Sequence, residues 1–287
     1  MPAPGDSLRQ GDVVQADRPA DEGLSDLYFI ATGDCDVAND KHFGKLLALP
    51  LVPLADYYLR FRVPKLLTEL RVGKNGLEDQ SVFVLNEALR LAGENALPYK
   101  DGLAWMERSG PATICEHLRP QVGPDSLKQF GQLEQRLICM CTALNSFPSN
   151  GSIAAAATFV KQAKDAVGER LKNGPKAYFE KDLQNFLKSS PKDIFLLSEI
   201  SLDHDPGFVV ALRFPEQINS ADISLDDSTS SRRLRRISRI VYPYSTGILH
   251  QFANLFTTVG FPDEQKDSLT IAAELIVQAW EWEDAPS

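Results

Sequence analysis

The stretch Leu27-Tyr28-Phe29-Ile30-Ala31-Thr32, followed at once by Gly33-Asp34-Cys35-Asp36, decides how this chain is interpreted. The first six residues are mostly apolar, aromatic or β-branched and contain no charge, which is typical of a buried strand. The next four residues place two carboxylates beside a thiol at the point where that strand should end. The stretch therefore predicts a buried strand, and it also marks where several chemically capable groups must be neighbours.

Strand-like segments lie on both sides of this stretch and return late in the chain. A short strand is predicted over 11–16, and a second apolar strand over 45–54, where Pro50 and Pro53 favour an edge or a bend because proline cannot donate to a β-ladder. The runs 194–200 and 208–214 are separated by a loop containing Pro206-Gly207, which favours a hairpin.

Between the two groups of strands, from about Asp79, the apolar spacing becomes helical. One helix keeps its apolar residues three or four positions apart from Leu127 to Leu144, and Pro111 suits the first position of another helix. After the hairpin, a helix capped by Ser245 and a last helix over 263–280 are predicted.

These segments predict an α+β fold, with a small SH3-like β-barrel or sheet interrupted by a large all-helical insertion and followed by C-terminal helices. An alternative keeps the two β parts separate, but each alone buries too little apolar surface to be stable. The predicted organisation is a flexible arm 1–10, an N-terminal β part 11–78, a helical insertion 79–189, a completing hairpin 190–216, a mobile loop 217–231 and a C-terminal helical segment 232–287.

Composition indicates an ordinary globular protein with an acidic balance. The 287 residues are 43% hydrophobic and carry a formal net charge of −9, which disfavours non-specific binding to nucleic acid or to anionic membranes. No apolar run approaches the ~20 residues that cross a bilayer, and the first residues lack the pattern of a signal peptide. We therefore expect a cytoplasmic protein that does not bind membranes, whose four cysteines are free thiols.

Asp34, Asp36 and Lys41 are the candidate catalytic residues. On a strand the two carboxylates would point to the same side, and Asp12 or His42 could complete a site for Mg²⁺, which prefers oxygen ligands. The alternative is a structural turn, in which the Asp side chains accept hydrogen bonds from nearby backbone. Cys35 is a poor nucleophile, because its flanking carboxylates disfavour the thiolate.

A local cluster of arginines is the candidate site for a phosphate group or an acidic partner. Its alternative is internal neutralisation, for which the preceding segment supplies Asp222, Asp226 and Asp227. The cluster consists of Arg232, Arg233, Arg235, Arg236 and Arg239.

No spaced set of His and Cys residues indicates a metal site. Cys139 and Cys141 are two positions apart on a predicted helix, so their thiols should face different directions. The P-loop, the dinucleotide fingerprint, the G-x-S-x-G elbow and the H-E-x-x-H motif are also missing from the sequence.

The N-terminal part resembles the PemK/MazF-type SH3-like barrels. The residues that carry this resemblance are Gly11-Asp12-Val13-Val14, the run 27–32 and Leu46 to Pro53. Such proteins are often endoribonuclease toxins, which carry Arg-Pro just before the second strand and a Ser or Thr at its end. Thr32 fits this pattern, whereas a loop displaces Arg18-Pro19 from the strand.

Over its whole length the chain resembles a group of poorly characterised bacterial proteins. The resemblance rests on Asp34-Cys35-Asp36, on Tyr242-Pro243-Tyr244, and on Leu249-x-Gln251-Phe252-Ala253 with Phe256 and Gly260-x-Pro262. That family usually has Ser where this chain has Tyr242. Its genes accompany signalling or antiphage-defence genes, which implies protein partners encoded nearby.

Three functions follow as expectations. The first is a non-enzymatic accessory subunit of a bacterial multi-protein system, in antiphage defence. The second is a metal-dependent nuclease or PemK-like ribonuclease that uses Asp34 and Asp36, with Mg²⁺ as cofactor. The third is a sensor that binds a small anionic ligand, a nucleotide or nucleic acid at the arginine cluster.

Overall fold

The fold is described from a computed structural model. It describes residues 6–17, 24–148, 152–169, 171–189, 191–200, 207–225 and 233–257. The chain divides into two compact units, a sheet unit formed by Met1–Val52 with Pro191–Ser287 and a helical unit formed by Pro53–Ser190. The predicted α+β fold with a helical insertion between strands is confirmed.

The sheet unit contains strands from both ends of the chain. The described strands are β1 Asp12–Ala16, β2 Leu27–Ile30, β3 Lys45–Pro53, β4 Ile194–Leu197, β5 Phe208–Ala211, β6 Glu216–Asn219, β7 Ile223–Ser224 and β8 Leu234–Arg239. Their order is β4-β5-β3-β2-β1-β8-β7, and β6 also pairs with β3. The prediction that early and late strands share one sheet is therefore confirmed.

Alternating residues on the first three strands supply the two apolar faces of this sheet. Val13, Phe29 and Leu49 belong to one core, which includes Ile248 of helix α10 (Tyr244–Thr257). Their chain neighbours on the opposite face form a second core, whose fully buried members are Val14, Ile30, Leu46 and Ala48. Because each strand has apolar residues on both faces, β2 is the uninterrupted apolar run that the sequence showed.

The helical unit begins earlier than the sequence predicted. Its helices are α2 Leu54–Tyr57, a π-helical turn Tyr58–Arg62, α3 Val63–Val72, α4 Leu77–Leu91, α5 Tyr99–Ser109, α6 Pro111–Leu118, α7 Leu127–Asn145, α8 Ile153–Ala166 and α9 Gly174–Ser189. Assigning 54–78 to the β part was wrong, because Tyr57, Tyr58 and Leu66 bury their side chains by helical packing. Aromatic residues and Pro64 made this segment look unlike a helix.

Two predictions for the later part of the chain also need correction. The predicted mobile loop 217–231 contains the end of β6 and all of β7, as far as its residues are described. The predicted C-terminal helical segment 232–287 begins with strand β8, which pairs antiparallel with β1. The helix predicted over 263–280 lies outside the described residues.

The remaining short helix, α1 Asp34–Ala38, follows β2 and occupies the stretch with which the sequence analysis began. None of the described helices combines the length and the apolar character needed to cross a bilayer.

Candidate functional site

The pairing of β1 with β8 brings Asp12 together with two members of the arginine cluster. Asp12 lies opposite Arg239, and Val14 lies opposite Arg236, with a register shift between Val13 and Val14. Residues three apart on a regular strand face opposite sides, but a bulge changes that alternation. The irregularity therefore lets both guanidinium groups reach the Asp12 carboxylate.

The three side chains form an ionic group around a fully buried carboxylate, which we call the Asp12 centre (Asp12, Arg236 and Arg239). Arg239 Nε donates to Asp12 Oδ1 over 2.5 Å and its Nη2 donates to Oδ2 over 3.2 Å, while Arg236 Nη1 lies 3.7 Å from Oδ2. The backbone N–H of Arg9 donates to the same Oδ2 over 2.8 Å. Asp12 is fully buried, and its hydrogen bond raises the pKa of the Arg239 guanidinium above its ordinary value.

The arginines of the Asp12 centre also bind backbone carbonyls. Arg236 Nη1 donates to the Asp6 carbonyl over 2.9 Å and its Nη2 to the Leu225 carbonyl over 3.4 Å, and Arg239 Nη2 donates to the Ser7 carbonyl over 3.3 Å. These contacts fasten residues 6–9 onto β8. Arg236 and Arg239 are therefore neutralised inside the unit by Asp12, an acid that the sequence analysis did not name for this role.

The other members of the arginine cluster differ in position. Arg233 and Arg235 are exposed, and Arg235 directly precedes buried Arg236 on β8. Arg232 lies outside the described residues. The cluster predicted from sequence is thus divided between the inside and the surface of the sheet unit.

Asp34 and Asp36 do not have the strand geometry that the sequence suggested, because both lie on α1. On a helix, residues two positions apart point in different directions, so the carboxylates do not converge. Asp34 Oδ1 accepts the backbone N–H of Gln10 over 2.7 Å, and Gln10 Nε2 donates to the Ala31 carbonyl over 2.9 Å. Asp34 therefore joins the end of β2 to the residues that lead into β1.

Lys41 and His42 lie in the turn that follows α1. Lys41 is exposed, and its backbone N–H donates to the Asp36 carbonyl over 2.9 Å. His42 Nδ1 accepts the backbone N–H of Gly44 over 3.0 Å, and its Nε2 lies 3.3 Å from Asp40 Oδ1. Among the described residues, no three His, Cys, Asp or Glu side chains are grouped so as to hold a metal ion.

The four cysteines fall into two classes. Cys115 and Cys141 are buried, whereas Cys35 and Cys139 are exposed, which confirms that the thiols of the Cys139-Met-Cys141 step face different directions. Burial raises the pKa of each buried thiol to about 11, and for Cys115 the nearby Glu134 adds to the effect.

We expect iodoacetamide to modify exposed Cys35 and Cys139 in the folded protein, and the two buried thiols only after unfolding. Because the buried thiols hold their protons more tightly in the folded state, their contribution to stability is complete below pH 9. It is lost as the pH rises towards 11. Mass spectrometry of alkylated peptides at pH 8, with and without urea, checks the order of reaction. Rapid alkylation of all four thiols in the native protein would contradict it.

A turn between β8 and α10 exposes the largest continuous run of apolar groups in the described part of the sheet unit. We call it the tyrosine turn (Val241, Tyr242, Pro243 and Tyr244). All four residues are exposed, with 62% of Val241, 79% of Tyr242 and 57% of Tyr244 accessible to solvent. In the sequence these residues contributed only to the whole-length resemblance, because the exposure of an aromatic side chain cannot be inferred from its residue type alone.

Backbone contacts hold the tyrosine turn in place. Ile240 N–H donates to the Gly11 carbonyl over 2.8 Å, and Tyr244 N–H donates to the Val241 carbonyl over 3.1 Å. Gly11 has φ +91°, and a Cβ there would lie 2.6 Å from the Ile240 carbonyl oxygen, so only glycine fits. These hydrogen bonds therefore hold the backbone on both sides of Tyr242.

Comparison of the chain with protein-family models, with curated proteins and with solved structures found no match. For the PemK/MazF resemblance, the structure places Thr32 Oγ1 as acceptor of the Leu47 backbone N–H over 2.7 Å, and Arg18-Pro19 lies outside the described residues. Thr32 thus links the end of β2 to β3.

Proposed function

We propose that this chain is a non-enzymatic accessory subunit that binds another protein of a bacterial multi-protein system through the tyrosine turn. The context that the whole-length resemblance implies is antiphage defence. The observation that carries the proposal is the exposure of Tyr242 and Tyr244 on a fixed backbone. Tyrosine is enriched in protein interfaces, because its ring buries a large apolar area while its hydroxyl keeps a hydrogen-bond partner.

Two exposed tyrosines on a hydrogen-bonded turn can contribute strongly to the affinity for a partner. Interfaces draw most of their affinity from a few central residues, among which tyrosine is over-represented. Ordering a flexible loop on binding costs free energy, and the hydrogen bonds of the tyrosine turn reduce that cost. The expected partner surface is an apolar pocket whose rim offers acceptors for the two phenol groups.

The rival nuclease proposal receives less support from the contacts. Asp34 is engaged by the Gln10 backbone, and Asp12, which could have completed a metal site, is engaged by two arginines. For the sensor proposal, Arg233 and Arg235 are the described members of the arginine cluster that lie exposed on the surface. The tyrosine turn is an exposed surface with two aromatic side chains, which suits a partner protein better than a small ligand.

The test is co-purification of the tagged full chain with each protein encoded by its neighbouring genes. We expect one neighbour to be retained, and the double variant Tyr242→Ala/Tyr244→Ala to weaken that complex at least about tenfold, since hot-spot residues contribute about 2 kcal/mol or more. Size-exclusion chromatography and calorimetry measure the loss.

Phe83→Ala is the matched control, because Phe83 is an aromatic side chain 64% exposed on α4 of the other unit. It should leave the complex unchanged. Circular dichroism of each variant separates loss of binding from loss of folding. The proposal is wrong if the wild-type protein elutes without a bound partner in the presence of each neighbour tested. It is also wrong if the double tyrosine variant and Phe83→Ala weaken the complex equally.

A further inference from the structure

The helical unit contains a cavity of about 490 Å³, bordered by α4, α5 and α6. This volume lies within the range of about 300–1,000 Å³ that is usual for small-molecule sites. Its apolar lining includes Leu89 and Leu118, both buried, and the indole of Trp105, which is half-buried. The cavity therefore offers an apolar floor with one large aromatic surface.

Helix α5 contributes a negatively charged and a positively charged side chain to the lining of this cavity. Asp101, Trp105 and Arg108 all line it, and their spacing of four and three residues places them along one side of the helix. From Asp101 to Arg108 the helix rises about 10 Å, at about 1.5 Å per residue. A carboxylate thus precedes the indole and a guanidinium follows it along the same side.

The remaining polar lining consists of one more carboxylate, one amide and one imidazole. Glu94 and Asn95 come from the loop after α4, and His117 comes from the last turn of α6. All four charged or titratable side chains, Glu94, Asp101, Arg108 and His117, belong to residues that are exposed to solvent. A ligand would therefore place its apolar part on the floor and its polar groups at the rim.

The loop wall of the cavity is held in place before any ligand binds. Asn86 Nδ2 donates to the Leu97 carbonyl over 3.1 Å, and Leu97 N–H donates back to Asn86 Oδ1 over 2.8 Å. Glu94 N–H donates to the Leu89 carbonyl over 2.9 Å, and Gly93 has the left-handed φ of +78° that closes a helix C-terminus. A wall that is already ordered lowers the entropic cost of binding.

We infer that this cavity binds a nucleoside monophosphate. A flat base suits stacking on Trp105, since every base has an aromatic face that can stack on a side chain of this kind. The carboxylates of Glu94 and Asp101 accept hydrogen bonds from the amino group of a base, as acidic side chains do with cytosine. Arg108 and a ring N–H of His117 donate to the phosphate.

This inference is independent of the proposed function, because the tyrosine turn belongs to the sheet unit and the cavity to the helical unit. It also differs from the sensor expectation, which placed an anionic ligand at the arginine cluster of residues 232–239.

The test is isothermal titration of the full chain with AMP, GMP, CMP and UMP, and with the matching nucleosides and inorganic phosphate. We expect at least one nucleotide whose base carries an amino group to bind more tightly than UMP. Trp105→Ala should weaken that binding about tenfold, in line with the loss of one stacking contact. Arg108→Ala should remove most of the advantage of the nucleotide over its nucleoside.

Arg136→Ala is the control for charge, because Arg136 is an exposed arginine of α7 that does not line the cavity. Trp105→Phe, which keeps a smaller aromatic surface, should lose less affinity than Trp105→Ala. If none of the four nucleotides binds in the millimolar range, or if Trp105→Ala and Arg108→Ala bind as the wild type does, the inference is wrong.

Discussion

Replacing Asp12 by alanine is expected to lower the free energy of unfolding of the sheet unit by about 3–5 kcal/mol, the usual cost of removing one partner from a buried ion pair. Asp12 is fully buried, and only 2% of the Arg236 side chain is accessible to solvent. The variant keeps both guanidinium groups but loses the carboxylate that they share. The backbone N–H of Arg9 loses its acceptor as well.

Calorimetric unfolding measures the total effect, and hydrogen exchange of peptides from β1 and β8 locates it. Asp193→Ala is the control within the same unit, because Asp193 pairs with Arg213 at 3.3 Å in an ion pair that is partly exposed, at 33% and 63% of the two side chains. Such surface pairs contribute about 0–1 kcal/mol.

The double variant Asp12→Ala/Arg239→Ala should be less destabilised than the sum of the two single variants, because the two residues are in contact. A loss below about 1 kcal/mol for Asp12→Ala would show that the Asp12 centre does not support the fold.

The second large effect is expected in the helical unit, for Asp182→Ala. Asp182 accepts two hydrogen bonds from Arg62, Nε to Oδ2 over 2.9 Å and Nη2 to Oδ1 over 2.5 Å, and one from the Tyr58 hydroxyl over 3.0 Å. Tyr58 is buried, and without Asp182 its hydroxyl keeps the Phe179 carbonyl, over 3.1 Å, but loses its charged acceptor. Hydrogen bonds to charged groups contribute about 1.5–3 kcal/mol, and we expect a loss of about 2–3 kcal/mol.

Glu180→Ala on the same helix is the matched control, because Glu180 is 59% exposed and lies 3.8 Å from Lys176. It should change the free energy of unfolding by less than about 0.5 kcal/mol. Urea unfolding of the three proteins at pH 7 measures both values. Equal midpoints for the Asp182 and Glu180 variants would refute the prediction.

The same contacts set the direction of a pH effect. Burial, together with Asp182, raises the pKa of Tyr58 above its ordinary value of 10.0. A raised folded-state pKa means that the contribution of Tyr58 to stability is complete below pH 10 and is lost at higher pH. Tyr58→Phe should therefore reduce the loss of stability between pH 10 and pH 12.

Local patterns were sufficient for the elements whose residues carry their own signals. Pro111, as a first helical residue, predicted the start of α6, which begins at Pro111 and ends at Leu118. The apolar runs around Pro206-Gly207 predicted the antiparallel pair β4 and β5. In each case the helix signal or the strand signal lies within about ten residues, so no distant contact is needed to form it.

Local patterns failed where distant residues decide the conformation. The run Leu234–Arg239 carries three arginines and has no strand pattern, yet it forms β8. It does so because β1 pairs with it, and because Asp12 accepts hydrogen bonds from Arg239 and forms an ion pair with Arg236. The candidate site failed in the same way. Asp34 and Asp36 are close in sequence, but α1 turns their carboxylates apart, and Asp34 binds the Gln10 backbone instead.

The sequence by itself therefore determined the α+β class, the helical insertion and the buried strand that begins at Leu27, because hydrophobic periodicity and turn residues act over short distances. The tertiary structure decided which charged groups are buried. A buried charge is stable only beside its counter-charge, and Asp12 has its counter-charges in Arg236 and Arg239, of which Arg239 is 227 positions away in the sequence. The tertiary structure also decided that Tyr242 and Tyr244, which follow β8, are exposed.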